Sequence, residues 1–195
     1  PVATRVSGGT VLNKVADLVP ALMGGSADLT PSTKTDIKKT TSFTATDRSG
    51  RNFHFGVREL GMGFFANGMA LYGTCIPYAS TFFVFSDYMK PALRLAAIQG
   101  LHEVFVFTHD SFYVGEDGPT HEPIEQAAML RTIPGMLVLR PAEANEVAYA
   151  WYVALKANGP VALLLTRQDL EPIPSNLVKN VNVAKGAYVL SEDAG

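Results

Sequence analysis

Three short apolar runs, residues 103–107, 136–140 and 161–166, constrain this chain more than any other feature. They are nearly continuous in Val, Leu, Phe and Met rather than alternating. That is the pattern of strands buried on both faces, as in a parallel sheet covered by helices on each side. Helical periods separate them at 123–131 and 142–157. The first opens with Pro123, where a missing N–H costs nothing. Upstream, 10–19 puts Val11, Leu12, Val15, Leu18 and Val19 on one helical stripe. A short strand is expected at 21–24 and helices at 58–71 and 82–99, with Pro91 tolerated near a kink. This alternation predicts an α/β fold: a doubly wound, mostly parallel sheet with helices on both faces.

A chain of 195 residues that is 47% hydrophobic and 17% charged has material for one sizeable core. Net charge is −2 with Lys and Arg scattered, which gives no electrostatic footprint for nucleic acid and no basic helix for a membrane surface. No apolar run reaches the length of a membrane helix, and no basic-then-apolar leader opens the chain. The single cysteine, Cys75, excludes an internal disulfide and points to a reducing, cytoplasmic setting. It reads as a small buried hydrophobe. The polar stretch 26–51 is too long for an ordinary connection and is expected to be functional or mobile. The Pro-rich segment 171–175 reads as a linker. We therefore expect one domain over 1–172, then a linker and the start of a truncated C-terminal domain over 173–195, with a strand-like run at 186–190. The first residue is Pro1 rather than Met, so a piece of a longer polypeptide is expected.

Segment 115–121, Gly115-Glu116-Asp117-Gly118-Pro119-Thr120-His121, follows the 103–107 run and the polar knot Thr108-His109-Asp110-Ser111. A structural turn needs Gly, Asp or Pro; it does not need two acids and histidines as well. Loops at the carboxyl ends of parallel strands are where such folds place chemistry. Glu59 opens a helix rich in glycine and apolar residues, Gly61, Gly63 and Gly68 among them. Desolvation there favours the protonated carboxyl, whereas pairing with a local arginine or with the helix terminus favours the charged one. Phe82, Phe85 and Tyr88 recur at helical spacing, as core or as a flat slot for an aromatic ring. Arg5, Ser32, His109 and Arg167 lie beside expected strand ends or in polar loops, where several could converge on one anion. No G-x-S-x-G supports a serine hydrolase, no histidine spacing supports zinc, and no G-x-G-x-x-G or P-loop is present.

Taken in order, Gly24-Gly25-Ser26-Ala27-Asp28-Leu29, His54-Phe55-Gly56-Val57-Arg58-Glu59, Pro77-Tyr78-Ala79-Ser80-Thr81-Phe82, Thr108-His109-Asp110-Ser111 and the 115–121 segment resemble the transketolases, specifically their central pyrimidine-binding domain. The resemblance runs over about residues 5–170. It implies that Glu59 hydrogen-bonds the aminopyrimidine of thiamine diphosphate, favouring the imino tautomer that takes the thiazolium C2 proton. It implies that Phe85 stacks on the pyrimidine with Phe82 and Tyr88 completing the slot. Asp117 and His121 would contact sugar hydroxyls, and Arg5, Ser32, His109 and Arg167 the sugar phosphate. The Gly-Asp-Gly…Asn motif through which the family holds Mg²⁺ and the diphosphate is absent, so that domain is expected on another part of the enzyme or on a partner. The implied activity is transfer of a two-carbon glycolaldehyde unit between sugar phosphates by a homodimer, with this chain alone inactive. A non-catalytic dimerisation subunit of a split enzyme, or a relative such as dihydroxyacetone synthase, are the alternatives. The Thr108–Ser111 segment weighs against deoxyxylulose phosphate synthase.

Overall fold

The computed structural model describes residues 1–192. In chain order it contains β1 (Val2–Ala3), α1 (Thr4–Leu18), β2 (Leu22–Ser26), α2 (Thr30–Thr33), β3 (Asn52–His54), α3 (Glu59–Tyr72), β4 (Ile76–Phe82), α4 (Ser86–Gln99), β5 (Val104–Thr108), α5 (Gln126–Arg131), β6 (Leu137–Leu139), α6 (Ala144–Lys156), β7 (Val161–Leu165) and β8 (Asp169–Leu170). Six strands form one sheet in the order β3-β2-β4-β5-β7-β6, and every pair is parallel. β1 and β8 form a separate antiparallel pair that brings the chain's start beside the end of β7.

The central strands show why the sequence runs are continuous. Every residue of β5 and β7 is buried. Val104, Val106, Val161, Leu163 and Leu165 pack with Leu12 and Ala16 of α1 and with Val147, Ala150, Trp151 and Ala154 of α6. Phe105, Phe107, Ala162 and Leu164 face the opposite way, onto Met62 and Ala66 of α3 and Met89, Ala92, Leu93 and Ala96 of α4. The sheet is therefore doubly wound, with helices on both faces as expected. Each fully buried Leu, Val or Phe contributes about 1.5–3 kcal/mol relative to exposure. Gly63 lets α3 approach α4: a Cβ there would lie 2.7 Å from Ala92 Cβ and 2.8 Å from Met89 Cγ. At α6, Glu143 caps the first turn, its side chain accepting from Asn145 N and Glu146 N.

Several boundaries differ from the sequence reading. α1 starts six residues earlier than expected, at Thr4. The 82–99 helix is really the end of β4, a 3-10 turn (Phe83–Phe85) and α4. The helix expected from Pro123 starts at Gln126. β3 and β4 were not anticipated at all. β4 carries Pro77 and the fully buried Ser80 and Thr81, so it lacks the continuous apolar signature. Pro77 fits because β4–β5 pairing begins one residue later, at Tyr78↔Val104. The 26–51 stretch is not structureless: it holds α2 and a bridge from Ser42 to Asn52. Residues 186–190 form no strand, and the Leu190 carbonyl accepts instead from Asn180 Nδ2. Cys75 is half-buried rather than buried.

One buried group has no stated task. Glu103, fully buried just before β5, has no hydrogen-bond partner for either carboxyl oxygen among the described residues. Burial pushes its carboxyl up to about 8 from an ordinary 4.5. The folded state therefore holds the proton after the unfolded chain has lost it. This contribution to stability is complete below pH 4.5 and is lost as pH rises to about 8. Urea unfolding at pH 5 and pH 8.5 should show Glu103→Gln gaining roughly 3 kcal/mol over the parent at the higher pH. An equal difference at both pH values would contradict it.

Candidate functional site

The chain leaves β2 towards β3 on one side and returns to β4 on the other, so the direction of winding reverses between β2 and β4. In open α/β sheets this crevice at the carboxyl ends is where ligands bind. A cavity of about 490 Å³ opens there, lined by Ala27, Asp28, Leu29, Val57, Glu59, Phe85 and Tyr88. Glu59 is the first residue of α3 and only 7% exposed. Its neighbour Arg58 turns away and donates to the Phe55 carbonyl (2.9 Å). Glu59 forms no ion pair among the described residues, so the local-arginine alternative fails. What remains is a buried carboxyl at the first turn of α3, among the largely apolar and aromatic walls of a cavity that Asp28 also lines. Phe85 and Tyr88 present ring faces with centroids 6.0 Å apart, inclined by 24°. Phe82 does not line this cavity. It is buried between Phe85, nearly parallel at 6.1 Å, and the His109 ring, stacked at 3.6 Å.

Through Phe82 the slot joins a second, electropositive cluster. Arg5, at the start of α1, donates through Nη1 to the Ser32 carbonyl (2.9 Å) and faces His109 Nε2 (3.4 Å). Ser32 therefore meets Arg5 through its main chain. Arg167, two residues beyond β7, lies against Gly115: a Cβ there would sit 3.3 Å from Arg167 Cζ, and Gly115 has φ +82°. Burial first, then the nearby Arg167, lowers the Arg5 pKa, with Asp117 and Asp169 opposing. Neither Arg5 nor Arg167 has a carboxylate ion-pair partner among the described residues, and the buried Arg5 Nε donates to nothing. His109 is 3% exposed, and burial together with Arg5, Arg167 and His121 lowers its pKa to about 3. Arginine can only donate, so Nε2 is the acceptor, and the neutral ring's proton sits on Nδ1, facing Thr108 Oγ1 at 2.9 Å.

The 115–121 segment forms two 3-10 turns, Gly115–Asp117 and Pro119–His121. His121 stands edge-on to Phe85 (5.3 Å) and Phe82 (6.2 Å) and bonds Thr120 Oγ1 through Nδ1. Asp117 is exposed on the same segment. Of the side chains singled out from sequence, Glu59, Phe85 and Tyr88 line the slot; Phe82, His109, His121 and Arg5 connect to it through ring and hydrogen-bond contacts; Ser32 joins only through its carbonyl. Asp28 was not singled out. It lines the slot in the left-handed region (φ 66°), which Asp tolerates. Its place two residues beyond β2, which carries a Gly-Gly pair, was the available signal. No three His, Cys, Asp or Glu side chains gather as a metal-binding group among the described residues.

The family model described as "Transketolase, pyrimidine binding domain" matches residues 1–172. The chain belongs to the transketolase family. The transketolase of Bacillus subtilis (strain 168) is 54% identical over 192 residues, 97% of this chain and 29% of that protein. The crystal structure of transketolase from Campylobacter jejuni superposes with TM-score 0.92 at 45% identity, covering 99% of this chain and 30% of that one. A split-gene transketolase, described as an inactive beta4 tetramer, gives TM-score 0.73 at 29% identity over 90% of this chain and 55% of its own. The chain spans about three-tenths of the length of the curated transketolases it matches.

The geometry makes a direct prediction about His109. Above pH 6.5 its ring is neutral in folded and unfolded chains alike; as pH falls towards 3 only the unfolded chain takes up the proton, so stability declines across that window. Imidazole NMR at pH 5 should show His109 neutral with its proton on Nδ1. A titration near the ordinary 6.5 would refute the buried, cation-flanked setting.

Proposed function

We propose that this chain is the pyrimidine-binding domain of a thiamine diphosphate-dependent ketol transferase, moving a glycolaldehyde unit from a ketose phosphate to an aldose phosphate such as a pentose phosphate. The observation that carries the reading is that Arg5 and Arg167 lie near enough to affect each other's charge with no carboxylate in ion-pair contact among the described residues, beside a neutral His109 and next to an aromatic slot with one buried acid. Two guanidiniums held together repel, and a dianion such as a sugar phosphate relieves that repulsion.

The slot suits a flat aminopyrimidine: Phe85 offers a ring face, Tyr88 and Leu29 close the sides, and Glu59 is the only acid of α3's buried face. When bound, thiamine diphosphate supplies a carbanion equivalent and electron sink for the two-carbon unit. Glu59 would hydrogen-bond the pyrimidine ring and so set its tautomer. Phe82 transmits the position of the slot to His109. Arg5, Ser32, His109 and Arg167 would bind the phosphate end, and Asp117 and His121 the hydroxyls between. Mg²⁺ and the cofactor's diphosphate would be held by a separate domain.

The pyrimidine-binding domain would end near residue 172, where the family match stops, and the residues after it would lead into a further domain. Exposed Leu60, Phe64 and Leu71 on α3 suit a homodimer face. Of the glycines of that helix, Gly63 serves α4 within the chain, and Gly68 meets nothing within 4 Å. A cytoplasmic setting fits a half-buried free cysteine; no described helix is long and apolar enough to cross a membrane. The likeness to a split-gene transketolase favours a second reading, in which the chain is a subunit completed by a partner.

Ketol transfer from xylulose 5-phosphate to ribose 5-phosphate, with thiamine diphosphate and Mg²⁺, tests the proposal. The chain alone should be inactive and the chain with a diphosphate-binding domain active. Glu59→Gln should lower the latter rate a hundredfold or more, the order expected for a positioned acid. Activity of the chain alone, or full activity with Glu59→Gln, would overturn it. Sedimentation should show dimers that Phe64→Glu weakens; a monomer at all concentrations would remove the homodimer.

A further inference from the structure

Among the described residues Asp110 carries the only ion pair with a fully enclosed carboxylate: its side chain is 1% exposed, whereas that of its partner Arg140 is 44% exposed. Arg140 Nε donates to Asp110 Oδ2 at 2.6 Å and Nη2 to the Asp110 main-chain carbonyl at 3.3 Å. The guanidinium therefore grips both the side chain and the backbone of one residue. Asp110 Oδ1 has no partner, so Arg140 alone fixes this carboxylate.

The two residues come from non-adjacent strands. Arg140 follows β6 directly, Asp110 lies two residues beyond β5, and β7 runs between them. The bridge thus spans the carboxyl end of the strand from which Arg167 emerges. Between Asp110 and the last residue of β5 sits His109, in the left-handed region at φ 59°. A non-glycine residue takes that conformation only where its surroundings enforce it. On one side Thr108 is locked into the sheet, opposite Phe82 and Leu165. On the other, Arg140 holds Asp110.

We propose that Arg140 is a positioning residue for sugar phosphate: by holding Asp110 at two points it fixes the strained backbone of His109 and so the imidazole that meets Arg5. Its hydrogen bonds end on Asp110, so it acts through that residue. This inference rests on the reading of Arg5, His109 and Arg167 as the phosphate site. A simple brace between strand ends would weaken the fold without regard to what the substrate carries. A positioning role discriminates by phosphate.

The test compares xylulose 5-phosphate with unphosphorylated xylulose as donor, in the chain assembled with its diphosphate-binding domain. Arg140→Lys keeps the charge but loses the fork that reaches two atoms. The pair Asp110→Asn/Arg140→Gln removes both charges together and so leaves no buried carboxylate unpaired. In both variants KM for the phosphorylated donor should rise about tenfold relative to KM for xylulose, with kcat on xylulose retained, the size expected of a displaced positioning group. Equal losses on both donors, tracking a lowered Tm, would make Arg140 a brace and overturn the inference. His109→Ala is run alongside. If it raises the same KM ratio while the Arg140 variants do not, the positioning role fails alone. If His109→Ala also leaves the ratio unmoved, the phosphate reading fails and takes this inference with it.

Discussion

Strands β5 and β7 lie under helices on both faces, which leaves only the ends of the sheet for chemistry that meets water. Because all six strands are parallel, their carboxyl ends emerge on one edge. Ser26 to Asp28 leave β2 there, Phe82 leaves β4, His109 leaves β5 and Arg167 leaves β7. No loop has to travel to bring them together. The site is thus a consequence of two-sided burial and parallel order, and the helices contribute by position: α3 presents Glu59 and α1 presents Arg5 at their first turns.

That edge has two electrostatic characters side by side. The slot by Glu59 and Phe85 is largely apolar, with Glu59 buried and Asp28 exposed at its wall; the cluster of Arg5 and Arg167 is cationic, with no carboxylate in ion-pair contact among the described residues. His109 belongs to the second and remains neutral because burial and the neighbouring guanidiniums penalise its charged form. Phe82 lies between, stacked on His109 and parallel to Phe85, while His121 caps both rings edge-on. A ligand with an aromatic ring at one end of its reaction partner and a phosphate at the other would meet matching chemistry at each.

Legibility from sequence followed the degree to which a residue's environment was uniform. β5 and β7 were evident because every side chain is apolar. β4 was hidden by Pro77, Ser80 and Thr81, which are polar or strand-breaking yet fully or nearly fully enclosed. β3 was hidden by Asn52 and His54 in a polar stretch. Residues 186–190 misled in the opposite direction, since apolar residues without a neighbouring strand carry no ladder. At the site, Glu59, His109 and the 115–121 segment stood out because charged groups in apolar or turn-rich settings are conspicuous. Arg140 did not: at the end of an expected strand it reads as an ordinary surface cation, and only the three-dimensional neighbour, Asp110, shows what it holds. The buried, unpartnered state of Glu103 was equally invisible, because one acid beside an apolar run reads as the strand's boundary.

On the proposed function, one edge of one sheet receives both the pyrimidine and the sugar phosphate. A crystal structure of the chain assembled with a diphosphate-binding domain, thiamine diphosphate and a sugar phosphate tests it most directly. The account predicts the pyrimidine against Phe85 within hydrogen-bond reach of Glu59, and the phosphate between Arg5, His109 and Arg167. A pyrimidine remote from Glu59, or a phosphate bound away from Arg5, His109 and Arg167, would contradict it.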